Sequence, residues 1–211
     1  MAKGSFFRYS TIALGMVVLV AIFFVYKYSQ PEHKAMLPYY GPEGTNGEPH
    51  YVSPFSLLDQ DSTTITKNAY KDKIFVADFF FTTCQGICPL MSEQMLRVYH
   101  TFENNNDVMF LSHTVDPGHD RPYVLKGYAE RRGVDARHWH FVTGDKKEIY
   151  DLARYSYMVD ASEGDGGPTD FVHTDNFALV DREGRIRGYY DGTDSVDVNK
   201  LIGDINILLQ E

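Results

Sequence analysis

The sequence predicts an α/β domain, a central mixed sheet flanked by helices, behind a single N-terminal transmembrane helix. Three observations predict it. From about residue 74 onward, short apolar runs of strand length alternate with stretches of helical spacing. Two strand-like segments joined by Arg-Glu-Gly then precede a final amphipathic helix. At the front, residues 9–26 carry no charge. At 1.5 Å per residue such a run reaches roughly 27 Å, close to the thickness of a bilayer's hydrocarbon core.

The front segment reads as an anchor over 1–28. Lys3 and Arg8 precede the apolar run, as expected for a cytoplasmic start. The run ends in Phe23, Phe24, Val25 and Tyr26 rather than in a small-x-small cleavage site. Aromatic residues favour the membrane interface, so an uncleaved anchor is expected over a cleaved signal. The remaining chain is then expected outside the cytoplasm, on the periplasmic side of a bacterial inner membrane or in the equivalent compartment. Residues 29–50, with Pro31, Pro38, Pro42, Pro49, Gly41, Gly44 and Gly47, read as a tether. The folded domain is expected over 51–211.

Within that domain IFVADFFF (74–81) is nearly continuous in apolar residues, as a buried strand is. Residues 89–102 space Leu90, Met91, Met95, Leu96, Val98 and Tyr99 for a helix. VMFLSHTV (108–115) is a second buried strand. Residues 120–132 form a helix with Pro122 in its first turn and Gly133 as its stop. WHFVTG (139–144) is a third strand, and Asp145 starts the helix around KKEIYDLARYS. NFALVD (176–181) and RIRGYYD (185–191) form the hairpin, and VDVNKLIGDINILLQ the last helix. This order implies a mostly parallel centre with antiparallel strands added at the end, compatible with a thioredoxin-like fold.

The formal charge is −9, and because the first 26 residues carry only Lys3 and Arg8, the rest sums to −11. Such a surface repels phosphate backbones, so nucleic-acid binding is excluded as a reading. Ordinary solubility, or a basic or metal-bearing partner, fits this charge.

The chemistry concentrates in the two cysteines, Cys84 and Cys88, in TTCQGICPLM. They follow a buried strand and open a helix, where spacing by four places two sulfurs on one helix face. Unsatisfied amides at a helix start favour the thiolate. Two soft thiolates suit Cu(I), Zn(II) or a reversible disulfide. A structural disulfide is the plain alternative, although so short a loop stabilises a fold only slightly. A third metal ligand must come from elsewhere. There are eight histidines, and periodicity does not choose between His113 and His173. The Gly-rich stretch ASEGDGGPTD ahead of His173 reads as a mobile loop that lets the imidazole swing towards or away from the cysteines.

The segments DFFFTTCQGICPLM, LSHTVDPGHDRPYVLKGYAE, GDKKEIYDLA and VHTDNFALVDREGRIRGYYDG together resemble the Sco/SenC family of thioredoxin-fold copper proteins, over roughly residues 55–209. The resemblance implies that Cys84, Cys88 and His173 bind one copper ion, Cu(I) or Cu(II). It implies delivery of copper to, or thiol reduction at, the dinuclear copper centre of cytochrome c oxidase, with that copper-bearing subunit or another copper acceptor as partner. It also implies supporting roles for Asp78 and Asp116, of which Asp116 reads equally as a turn former. The chain departs from the family's Asp-Pro-x-x-Asp-Thr-Pro at Arg121, and FSLLDQDSTTIT lacks the usual turn glycine. The rival expectation is an extracytoplasmic thiol–disulfide oxidoreductase that uses Cys84 and Cys88 as a redox-active dithiol, without obligatory copper. A peroxidase fits less well, since Phe80 stands four residues before Cys84. A copper sensor lacks a cytoplasmic output domain.

Overall fold

A computed structural model describes residues 16, 18–24, 36–43, 47–160, 164, 166, 167 and 170–211. The chain divides into two units, 1–35 and 36–211. In the first, residues 16 and 18–24 are helical and exposed. Most of the expected anchor lies outside the described residues, and among those described no helix is long and apolar enough to cross a membrane.

The second unit is built on seven strands: β1 (Ser56–Asp59), β2 (Thr64–Thr66), β3 (Ile74–Phe80), β4 (Val108–Thr114), β5 (Trp139–Thr143), β6 (Asn176–Val180) and β7 (Ile186–Asp191). They form one mixed sheet in the order β2-β1-β5-β4-β3-β6-β7. The centre is parallel, β3 with β4 and β4 with β5, and the flanking pairs are antiparallel. Helices α1 (Cys88–Phe102), α2 (Pro122–Arg132) and α4 (Ser195–Leu208) pack on one face, while α3 (Lys146–Asp151) and a π-helical turn at Leu152–Ser156 cover the other.

All seven residues of β3 and of β4 are buried, as the continuous apolar runs require of strands covered on both faces. Alternation divides β3 between two cores. Ile74, Val76 and Phe80 meet Met91, Met95 and Val98 of α1, and Phe75, Ala77 and Phe79 meet Ile149 and Tyr150 of α3. Asp78 is on the α1 side by the same alternation. The register places Phe80 opposite Thr114, so the turns after β3 and β4 leave the sheet side by side. Because β6 runs antiparallel to β3, the segment leading into β6 arrives at that same end. Active sites of open α/β sheets gather at such an end.

Helix punctuation follows the sequence. Pro122 occupies the first turn of α2, and Gly133 ends it at φ 66° with its N–H on the Glu130 carbonyl. Asp145 caps α3 by accepting the Glu148 N–H at 3.0 Å. The β1–β2 hairpin has too short an apolar pattern to be read from sequence. Its turn lacks glycine, yet Ser62 takes φ 61° while Asp59 Oδ1 accepts the N–H groups of Asp61 and Thr63.

Part of the Pro/Gly-rich stretch is docked on the sheet. Tyr40 forms a bridge with Ile186, and the buried Arg187 donates to the carbonyls of Leu37 (2.8 Å) and Pro38 (3.2 Å). The Tyr39 ring meets the guanidinium groups of Arg185 and Arg187 at 4.5 and 4.4 Å.

Candidate functional site

The turn between β3 and α1 carries the dithiol. Here the structure corrects one expectation. Helix α1 begins at Cys88, so Cys84 stands in the turn before it rather than on the helix face. The sulfurs are neighbours because this turn folds over the helix start. The Cys84 N–H bonds to the Phe81 carbonyl at 3.3 Å. The Cys88 thiol and the backbone N–H groups of Cys88, Gly86 and Ile87 stand around the Cys84 sulfur and favour its thiolate. Both cysteines are free thiols, Cys84 partly exposed and Cys88 buried.

This arrangement separates the two acidities. Burial pushes the Cys84 thiol up, but the surrounding donors outweigh it and the net shift is downward. Cys88 goes the other way, to about 12, through burial, its role as donor to Cys84, and the negative charges of Cys84 and Asp78. One sulfur is an accessible, activated nucleophile, and the other is a shielded thiol held beside it.

Asp78 is buried on the α1 face of β3, near enough for its charge to act on Cys88. Its Oδ1 accepts the Ser112 hydroxyl at 2.5 Å, and Ser112 in turn accepts the Trp139 indole N–H at 2.9 Å. Burial raises the Asp78 carboxyl to about 7, against the opposing pull of the Ser112 hydrogen bond and the Arg132 charge.

His173 lies on the extended segment ahead of β6 and is exposed. Together with Cys84, Cys88, Phe79, Phe81 and Val172 it lines a cavity of about 350 Å³. Its imidazole leans on Phe171 (ring centroids 4.7 Å apart), and Phe171 meets Phe81 edge-on at 5.3 Å. The three expected ligands therefore face one cavity. Among the described residues, however, no group of three Cys, His, Asp or Glu side chains is gathered closely enough to hold a metal ion. His113, the other histidine the sequence leaves open, is fully buried behind Phe79, on which it stacks at 4.7 Å, and does not itself line the cavity. Burial drives its pKa down to about 3.

Asp116 stands in the turn after β4, where its carbonyl accepts the N–H groups of His119 and Asp120. The carboxylate that reaches the cysteine turn belongs to Asp120. It is fully buried and accepts Thr82 N–H at 3.0 Å, the Thr82 hydroxyl, Thr114 Oγ1 at 2.5 Å and His119 Nδ1 at 2.9 Å. Asp120 lies inside the quoted Asp-Pro-x-x-Asp pattern. Its spacing was the available signal, but only the crossing of the two turns reveals its partner.

A model of the SCO1/SenC family matches residues 43–210. The SCO1 protein homolog of Bacillus subtilis is 30% identical over 156 residues, covering 73% of this chain and 80% of that protein. Among solved structures, BsSco is a member of the Sco family of cytochrome c oxidase assembly proteins in which a disulfide switch was identified. It is 29% identical, with a TM-score of 0.64, and the match covers 75% of this chain and 93% of that one. ScoI of Bradyrhizobium japonicum, solved with copper bound, is 26% identical with a TM-score of 0.56, over 75% of this chain and 99% of that one. The mixed sheet and flanking helices described above are the thioredoxin-like arrangement of these relatives. The chain belongs to the SCO1/SenC family.

Proposed function

We propose that this protein is a membrane-anchored copper metallochaperone that carries one copper ion on Cys84, Cys88 and His173. The observation that carries the reading is the shared cavity, into which an activated thiol, a second thiol beside it and an imidazole all face. Copper is the cargo. Two thiolates suit Cu(I), and the imidazole extends the donor set to Cu(II). The copper-bound Bradyrhizobium japonicum relative supports copper over zinc. Transfer proceeds by ligand exchange with an acceptor, here the copper-bearing subunit of cytochrome c oxidase. That choice rests on BsSco belonging to the oxidase assembly proteins. Asp78 and Asp116 support the site from below and from the neighbouring turn. The apolar stretch 9–26 anchors the chain, with the folded unit on the extracytoplasmic side.

A second reading has its own support. The split acidities of Cys84 and Cys88 are those of an attacking and a resolving thiol, as thiol–disulfide exchange with a partner requires. Oxidation of the pair to a disulfide would also remove both sulfur ligands, coupling copper carriage to redox state.

The test is copper stoichiometry of the full-length protein in mild detergent, for wild type and for Cys84→Ala, Cys88→Ala and His173→Ala. Near-equimolar copper in the wild type and its loss or weakening in each variant is expected. Tight, unchanged binding in all three variants contradicts the ligand set. A metal-free wild type whose disulfide cycles readily selects the oxidoreductase.

A further inference from the structure

The segment that carries His173 is tied down on both sides. Three residues before it, the Asp170 carboxylate receives two hydrogen bonds from Arg154, Nη1 to Oδ2 at 2.7 Å and Nη2 to Oδ1 at 2.6 Å. The two side chains are 3% and 8% exposed, so the pair is nearly closed to water. Asp170 Oδ2 also accepts the Gly166 N–H at 2.7 Å, and Lys146 Nζ donates to the carbonyls of Gly167 and Asp170, both at 2.7 Å. Arg154 belongs to the π-helical turn, and Lys146 opens α3. A π-helical turn is rare and re-aims side chains relative to an α-helix.

One residue before His173, the buried Val172 has its backbone N–H near enough to the buried Tyr150 hydroxyl to oppose the upward push of burial on that phenol, and the hydroxyl itself donates to the Val115 carbonyl at 2.8 Å. Val115 follows β4, on the same rim as the cysteine turn, and lines the cavity. Two residues after His173, the Asp175 carbonyl accepts the Gly192 N–H at 2.7 Å, and β6 starts at Asn176. Backbone at 170 and 175 is thus anchored to the folded unit, with the Val172 side chain buried between them.

We infer that Arg154, Asp170 and Tyr150 form a latch that holds the backbone around His173 and so presents its imidazole to the cavity it shares with the cysteines. This rests on the reading of His173 as a copper ligand. It replaces the swinging loop expected from the glycine content with a segment held at Asp170 and Asp175, on which the imidazole rests against the Phe171 ring. A fixed backbone limits the conformational freedom lost when the imidazole binds, which is how a supporting shell raises metal affinity. The Arg154 hydrogen bonds, with Gly166 N–H and the nearby cations, hold the Asp170 carboxyl down at about 2 against burial, so the latch stays charged near neutral pH. Arg154, Asp170 and Tyr150 are positioning residues, since none of them lines the cavity.

The experiment uses full-length protein in detergent, loaded with copper(II) sulfate against a competing chelator. Asp170→Asn and Tyr150→Phe are compared with wild type and His173→Ala, with Arg154→Lys as the charge-conserving variant. Nitrogen coupling in the Cu(II) electron paramagnetic resonance spectrum reports the imidazole directly. Alkylation of metal-free Cys84 reports the cysteine turn, and far-UV circular dichroism reports folding. The expected result is a fall in Cu(II) affinity of tenfold or more for Asp170→Asn. A smaller fall is expected for Tyr150→Phe. Both variants should show weakened nitrogen coupling and Cys84 alkylation within twofold of wild type, and Arg154→Lys should retain part of the affinity. Should Asp170→Asn fail to fold, Tyr150→Phe decides alone. Folded variants with wild-type affinity and nitrogen coupling overturn the latch. So does a fall in affinity matched by an equal change in Cys84 alkylation, which marks general loosening. If His173→Ala itself leaves affinity and nitrogen coupling unchanged, the ligand reading fails first and the latch goes with it.

Discussion

Asp120 accepts the backbone N–H of Thr82 at 3.0 Å and also its hydroxyl, two residues before Cys84. The carboxylate comes from the turn after β4, and the threonine from the turn after β3. Level strand ends make this crossing possible. The bond therefore joins the sheet's parallel centre to the shape of the dithiol turn. Asp120→Ala removes a fully buried acceptor from Thr82, Thr114 and His119. It is expected to destabilise the fold by about 2–4 kcal/mol, because buried donors are left unpaired. It should also slow Cys84 alkylation, since the donors around that sulfur lose their alignment. Urea unfolding and alkylation kinetics check both. A variant with unchanged Cys84 reactivity contradicts the coupling.

The divided acidities predict divided reactivity. Near neutral pH, Cys84 should be alkylated at least ~10-fold faster than Cys88, because the thiolate is the nucleophile. The Cys84 rate should rise with pH through a midpoint below the ordinary thiol range, while Cys88 stays protonated to about 12. Cys88→Ala removes a hydrogen-bond donor to Cys84 and should move that midpoint upward. Mass spectrometry of the alkylated peptides across pH measures it. Equal rates at the two cysteines contradict this account.

Asp78 gives a pH signature in stability. Its carboxyl is raised to about 7 by burial, above the unfolded value near 3.9. The folded state therefore holds the proton more tightly. Between about pH 4 and 7 the folded protein binds more protons than the unfolded chain, so its stability falls as pH rises. The loss is complete above about pH 7 and amounts to at most ~4 kcal/mol. Asp78→Asn should flatten this slope and be relatively more stable on the alkaline side. Urea midpoints on either side of the window decide, and an unchanged slope counts against the assignment.

Arg187 predicts how the N-terminal stretch is held. It is 1% exposed, bonds Asp181 and Glu211, and donates to the carbonyls of Leu37 and Pro38. Arg187→Ala leaves two carboxylates without this partner and should cost about 3–5 kcal/mol. Limited proteolysis should then cleave near Leu37–Tyr40 much faster than in the wild type. Unchanged cleavage would show that this docking does not depend on Arg187.

Much of the fold was legible because β3, β4 and β5 are buried on both faces and so read as continuous apolar runs. Pro122, Gly133 and Asp145 marked helix ends through constraints that act within one turn of chain. The dithiol was legible for the same reason, since strand, turn and helix start are contiguous. What stayed hidden depends on contacts between distant segments. Asp120 meets Thr82, Arg154 meets Asp170 and Tyr150 meets Val172, and no periodicity records such pairs. The docking of Leu37–Tyr40 was masked by proline and glycine content, which describes local stiffness and says nothing of a buried arginine waiting on β7. His173 was named through resemblance to a family, and the structure adds the cavity that its ring shares with the cysteines.

The central claim is that two sulfurs and one imidazole hold the copper. X-ray absorption at the copper edge, on the copper-loaded full-length protein and on its His173→Ala variant, tests it most directly. The account predicts two sulfur scatterers and one imidazole nitrogen in the wild type, with the sulfurs kept and the nitrogen lost in the variant. Copper without sulfur neighbours, or an imidazole signal that persists in His173→Ala, would contradict it.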